Sequence, residues 1–298
     1  MTNNSRNPFP KKKVKKIINL ILTYLLLCFL AVFFLFPIIF MVTSSLKNSE
    51  LQVIADMGGL SAFTLSGDIG FQNYYDVFSQ LDFLRLVQNS LIIVIFIVLL
   101  GLFINSMAAY ALARMRFKGR NLVLAVIIAL IIVPFEAIAV PLLLMVNKFP
   151  WFGGQTTWLN SYHVQIIPFI ADAFSIFLFY QFFIGLPKDL EEAALVDGAS
   201  RFRIFLQIIV PLSRPVYATV AILSFLTHWG DFLWPLMVTR GIEARPLTIG
   251  MQVFFGQDPR LWGDLMAFST MITLPVLIVF LIFQKWFVQS VASSGVKG

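Results

Sequence analysis

Apolar residues arrive in six long runs, near positions 17–42, 86–112, 122–146, 164–184, 216–239 and 265–288, separated by shorter polar segments. A helix rises 1.5 Å per residue, so crossing the hydrocarbon core of a bilayer, about 30 Å thick, takes about 20 apolar residues. Each run meets that length. The pattern therefore predicts an all-α membrane protein with six transmembrane helices. Its expected parts are a cytoplasmic N-terminus at 1–16, a first span at 17–42, an extracellular segment at 43–85, five further spans within 86–288, and a tail at 289–298. Glu136, Asp172 and Asp231 interrupt the third, fourth and fifth runs, and there length outweighs a single charge. The first run follows five lysines but continues through Phe33, Phe34, Phe36, Pro37 and Phe40. The apolar part of a cleaved signal peptide is only about 7–15 residues long, so this segment is expected to stay as an anchor.

Composition and charge agree with that class. Hydrophobic residues make up 59% of the 298 positions and charged residues 12%, with a mean hydropathy of +0.85. Soluble domains carry about 25% charged residues. The net charge of +7 does not form a nucleic-acid-binding patch, because the basic residues sit between apolar runs. Fifteen of the 22 Lys and Arg fall in the N-terminal segment, the loops at 113–121 and 185–215, and the tail, and a sixteenth, Lys285, sits at the tail end of the last run. Cytoplasmic loops are the Lys- and Arg-rich ones, which places both termini inside. The single Cys28 offers neither an intrachain disulfide nor a cysteine metal site.

The polar segment at 185–215 stands out. Asp189 and Glu192 have the spacing of a helix-capping box, and Gly198 suits the left-handed residue that closes a helix. A second short helix is expected near Ser200, with Phe202, Phe205, Ile208 and Ile209 on one face. Pro211 and Pro215 end it before the fifth run. From the residues alone, a capped helix–turn–helix lying on the membrane surface explains this segment as well as a functional one does.

Glu192-Ala193-Ala194, then Gly198, Ile208 and Pro211 at their spacing, resemble the EAA loop of permease subunits in ATP-binding-cassette importers, with Val210 where Leu is usual. Phe71-Gln72-Asn73-Tyr74, the stretch Ala108–Arg114 leading to Phe117-Lys118-Gly119-Arg120, Trp229–Leu236 and the tail from Phe283 resemble the carbohydrate branch of that family. The likeness is to the second membrane subunit of maltose- and glycerol-phosphate-type systems, with Gly230 in place of the usual Asn. The resemblance implies a MetI-like permease fold with cytoplasmic coupling helices between the fourth and fifth spans. Glu191, Glu192, Ala193, Ala194, Asp197, Gly198, Phe202, Ile208 and Pro211 would then dock on a separate ATPase. It further implies a second permease subunit, two ATPase domains that bind ATP and Mg, an extracellular solute-binding protein, a sugar substrate and a prokaryotic plasma membrane.

The chain carries no G-x-x-x-x-G-K-[ST] loop to cradle phosphates, so it is expected to be no enzyme and to hold no cofactor of its own. An intramembrane acid costs about 2.5–3.5 kcal/mol on insertion scales and so faces a cavity or a partner. Glu136, Asp172 and Asp231, with Gln165 and Trp229, are the candidates for a substrate pathway. Packing against a partner subunit and local hydrogen bonding are the alternatives for Glu136 and Asp172. Gly101, Ser106, Ala108 and Ala109 allow close helix approach. An importer permease for another solute, such as a glycerol phosphodiester or a peptide, is the nearer alternative; an ion-coupled secondary transporter using the same acids is the competing class, and the 185–215 segment speaks against it.

Overall fold

The computed structural model describes residues 11–150, 154 and 156–295, with side chains from residue 15 to residue 284. Residues 1–10 of the expected basic N-terminus, Trp151 and residues 296–298 of the expected tail lie outside that range. The described residues are helical and form two compact units, one from residues up to 77 together with 257–270, the other from 78–256 together with 271–298.

The first unit contains α1 (Lys11–Ser45), α2 (Glu50–Asp56), a 3-10 turn at Leu60–Phe63 and the start of α3 (Gln72–Gln80). Its polar residues are joined pairwise. Lys47, 1% exposed, meets Asp56 at 2.6 Å and donates to the Ser61 carbonyl at 2.8 Å. Asn73 donates to the carbonyls of Ser45 and Lys47. Both Glu50 oxygens accept from the amides of Trp262 and Gly263, at 2.8 and 3.0 Å, the groups that a helix start leaves unpaired.

In the second unit the first long helix is α4 (Phe83–Arg114). It is followed by α5 (Arg120–Ile131), α6 (Phe135–Asn147), α7 (Tyr162–Ile166) and α8 (Ala173–Ile184). Next come α9 (Asp189–Val196), α10 (Arg201–Ile204), a π turn at Phe205–Ile209, α11 (Val210–Leu212) and α12 (Arg214–Trp229). The chain ends with α13 (Leu233–Val238), α14 (Leu247–Phe255) and α15 (Trp262–Gly295), whose first residues belong to the first unit. Helix α8 packs along α4, with α5 and α12 against them. Ala109, Tyr110, Phe179, Phe183, Phe205, Ile209 and Val220 make up much of the core at one end of this bundle. Ser106 and Ala109 are fully buried where α4 is most closely approached, and α5 buries none of its residues.

Four stretches are long and apolar enough to cross a membrane alone: 15–45, 83–114, 162–184 and 262–284. The third run is bent within itself, and a second bend lies just before the fifth run. Helices α5 and α6 meet at 104°, and 201–212 meets 214–229 at 81°. The first bend is sharper than a kinked span. Pro134 has no N–H, and a proline pushes the residue before it out of the α region, so the helix restarts at Phe135 while Pro141 is carried inside α6. The run at 216–239 is likewise not one helix, since α12 stops at Gly230 and α13 starts afresh at Leu233.

Candidate functional site: a cavity between three helices and a pinned surface helix

A cavity of about 440 Å³ opens between α4, α8 and α12. Gly101 and Asn105 line it from α4, Asp172 and Ser175 from the start of α8, and Ser224, Thr227 and His228 from α12, with Asp231 just beyond. The fourth apolar run breaks at Asp172 because that side chain caps α8, one oxygen accepting from the Ser175 amide at 2.7 Å. The Asp172 amide in turn donates to Oδ1 of Asn105 at 2.9 Å. Asn105, 3% exposed, thereby ties α4 to the break. No Lys or Arg is among the lining residues. Carboxylates and hydroxyls accept hydrogen bonds readily, and Phe135, Phe169, Phe174 and Leu223 supply apolar wall around them, so the cavity suits a ligand with both hydroxyl donors and apolar faces.

The structure brings together only two of the five residues expected in a pathway, Asp172 and Asp231. Glu136 is exposed in the first turn of α6, outside the cavity, although its neighbour Phe135 lines it. Gln165 is buried, with Nε2 donating to the Ala244 carbonyl at 2.5 Å. Trp229 is 3% exposed, stacked on Phe225, and its indole N–H donates to the Ile272 carbonyl at 3.0 Å. It does not line the cavity.

Side-chain amides hold the connection at 239–246. Asn89 donates to the carbonyls of Ile242 and Arg245, Tyr162 donates to Asn89, and Asn160 accepts from the amides of Arg240 and Gly241. Asn160 also donates to Glu243 at 3.0 Å, and this bond holds the Glu243 carboxyl below its ordinary value of 4.5.

The segment at 186–200 forms a two-turn helix, α9, with unequal faces. Asp189 does not cap it. The N-cap position falls on Lys188 without a side-chain bond, and Asp189, Glu191 and Glu192 all occupy the first turn, where the helix dipole favours negative charge. Glu191 is buried. Its Oε1 lies 2.9 Å from Nε of Arg114, and its Oε2 accepts from the Tyr110 hydroxyl at 3.2 Å. Arg114 also donates to the Leu186 carbonyl at 2.6 Å. Ala194 packs toward the core, whereas Glu192, Ala193 and Asp197 are exposed, and Val196 is 88% exposed.

Gly198 has φ of 79° and closes the helix, the Ala199 amide reaching back to the Ala194 carbonyl at 2.9 Å. Ser200 caps α10 by accepting from the Arg203 amide. Beyond it the expected apolar face is altered. Ile204, Phe205 and Ile209 point inward, Ile208 is half-buried within the π turn, and Phe202, which precedes that turn, is 53% exposed. Pro211 lies exposed within α11 and does not end it; the break comes at Ser213.

Sequence reasoning missed Arg114, Tyr110, Asn105 and His228 as site residues. Tyr110 and Arg114 carry part of the family resemblance, but no spacing rule links them to a glutamate 81 positions from the tyrosine.

Residues 101–293, which contain most of the cavity and all of α9, match the family of binding-protein-dependent transport system inner membrane components. The chain belongs to that family. This permease is 35% identical to the arabinooligosaccharides transport system permease protein AraQ of Bacillus subtilis (strain 168), over 90% of its own length and 92% of the relative's. It is 32% identical to the trehalose/maltose transport system permease protein MalG of Thermococcus litoralis, with 97% and 99% covered. A crystal structure of a bacterial ABC transporter involved in the import of the acidic polysaccharide alginate contains a similar chain. The two share 25% identity and a TM-score of 0.76, across 94% of this permease and 100% of that chain.

Proposed function

We propose that this permease is one of two membrane subunits of an ATP-binding-cassette importer that moves a di- or oligosaccharide into a prokaryotic cell by alternating access. In this reading the bent pair α5 and α6 counts as one span and α12, leaving the surface segment 186–212, begins another, which makes six, with both termini cytoplasmic by the charge bias of the loops. An extracellular binding protein delivers the sugar, and the cavity between α4, α8 and α12 forms this subunit's share of the path. Two separate ATPase domains bind ATP and Mg and dock on α9 and α10.

The observation that carries the proposal is the character of α9. It is held from beneath by a buried ion pair and presents Val196, with Glu192 and Asp197, to the outside. A bare valine on a charged surface helix fits a docking partner better than water. Sugar as the solute is supported by the relatives, whose names specify oligosaccharides and disaccharides, and by the hydroxyl-accepting lining of the cavity. The test is purification of the whole importer carrying Val196→Glu or Glu192→Lys. Both sites are exposed, so the permease should still accumulate while losing its ATPase subunits and the uptake of labelled oligosaccharide. Proton-driven uptake by this chain without any ATPase would overturn the proposal.

A further inference from the structure

We infer that Arg114 and Glu191 form the positioning link through which movement of α9 reaches the solute cavity. The inference rests on the reading of α9 as the ATPase-docking helix. Side-chain exposures of 4% for Arg114 and 8% for Glu191 take this pair out of water. Separating a buried pair leaves an uncompensated charge behind, so the two side chains move together and α9 does not slide over its support. Tyr110 holds the second Glu191 oxygen, and Arg114 also holds the Leu186 carbonyl at the root of α9. One guanidinium thus fixes both the helix and the chain leading into it.

Arg114 is the last residue of α4, a continuous helix without an internal proline. Asn105 lies nine residues earlier on that helix, about 13 Å away along its axis, and Gly101 one turn further; both line the cavity. At Asn105 the link passes to α8, because its side chain accepts the amide of Asp172, the residue that caps α8 and faces the cavity. A push on α9 is therefore delivered to two of the three helices around the solute. The exposed Glu192 has no comparable contact with α4 and belongs to the docking face alone.

The experiment measures solute transported per ATP hydrolysed by the complete importer in proteoliposomes. Arg114→Met together with Glu191→Met removes both charges at similar volume, and Tyr110→Phe removes only one hydroxyl. The double variant should keep its ATPase subunits and hydrolyse ATP, while the transport-to-hydrolysis ratio falls about tenfold, an ordinary size for coupling between two sites. Tyr110→Phe should lower the same ratio by a smaller factor, and exchanging the charges, Arg114→Glu with Glu191→Arg, should restore much of it. A merely structural pair would lower yield and leave the ratio intact. An unchanged ratio in Tyr110→Phe and in the double variant overturns the inference. Absence of ATP-driven transport by the unaltered importer would instead overturn the proposed function on which the inference rests.

Discussion

Glu191 and Glu192 are adjacent, chemically identical and placed in opposite surroundings. Glu191 meets Arg114 and Tyr110 inside the protein, and Glu192 is exposed. Removing one member of a buried pair costs about 3–5 kcal/mol, whereas a change on an open surface stays within about 0.5 kcal/mol. Thermal unfolding of the purified importer should show this split, with Glu191→Ala strongly destabilised and Glu192→Ala close to unaltered. Equal melting of the two would refute the assignment. The family-like motif drew attention to Glu192, because an EAA pattern is read along the chain. That Glu191 is the one held from within depends on the phase at which α9 lies over α4, which no local pattern encodes. Gly198 is the opposite case: its left-handed conformation was legible because other residues resist it.

The connection at 239–246 is an element with almost no apolar content, ordered by Asn89, Asn160 and Tyr162. Its one acid, Glu243, gives it a pH dependence of known sign. The Asn160 bond lowers the folded-state value of Glu243 below 4.5. Glu243 therefore stabilises the loop above that ordinary value, and the contribution is lost as pH falls through the lowered one. Amide exchange at Arg240 and Gly241, corrected for the intrinsic effect of pH, should show protection at pH 6 that declines toward pH 3.5. Glu243→Gln should flatten the profile, and a wild-type profile already flat would contradict the clamp. At this scale the apolar runs were legible, since their length against a bilayer is a one-dimensional quantity. Their breaks were legible only where proline or glycine marks them. The depth of the bend at Pro134, the π turn at 205–209 and the exposure of Phe202 carry no such mark in the sequence.

For the molecule as a carrier, the sign of charge in the cavity matters most. Asp172 and Asp231 line it without Lys or Arg, and low-dielectric walls concentrate such a field. Ser224→Cys, in a chain whose only cysteine has been removed by Cys28→Ser, should react faster with a cationic methanethiosulfonate than with an anionic one of similar size. The preference should be about tenfold beyond that of a free thiol, and Asp172→Asn with Asp231→Asn should abolish it. No preference in the starting chain would show that these acids do not set the field. The sequence by itself determined that the chain is a helical membrane protein, which way its charge bias points, that it carries no G-x-x-x-x-G-K-[ST] loop, and that a helix closed by Gly198 lies between its fourth and fifth apolar runs. Those properties depend on run length, loop charge and local motifs. Only the tertiary structure decided that Asp172 and Asp231 share a cavity while Glu136, Gln165 and Trp229 lie outside its lining, and that Arg114 reaches Glu191. Such pairings join residues far apart in sequence, and helix packing in three dimensions is what brings them within bonding distance.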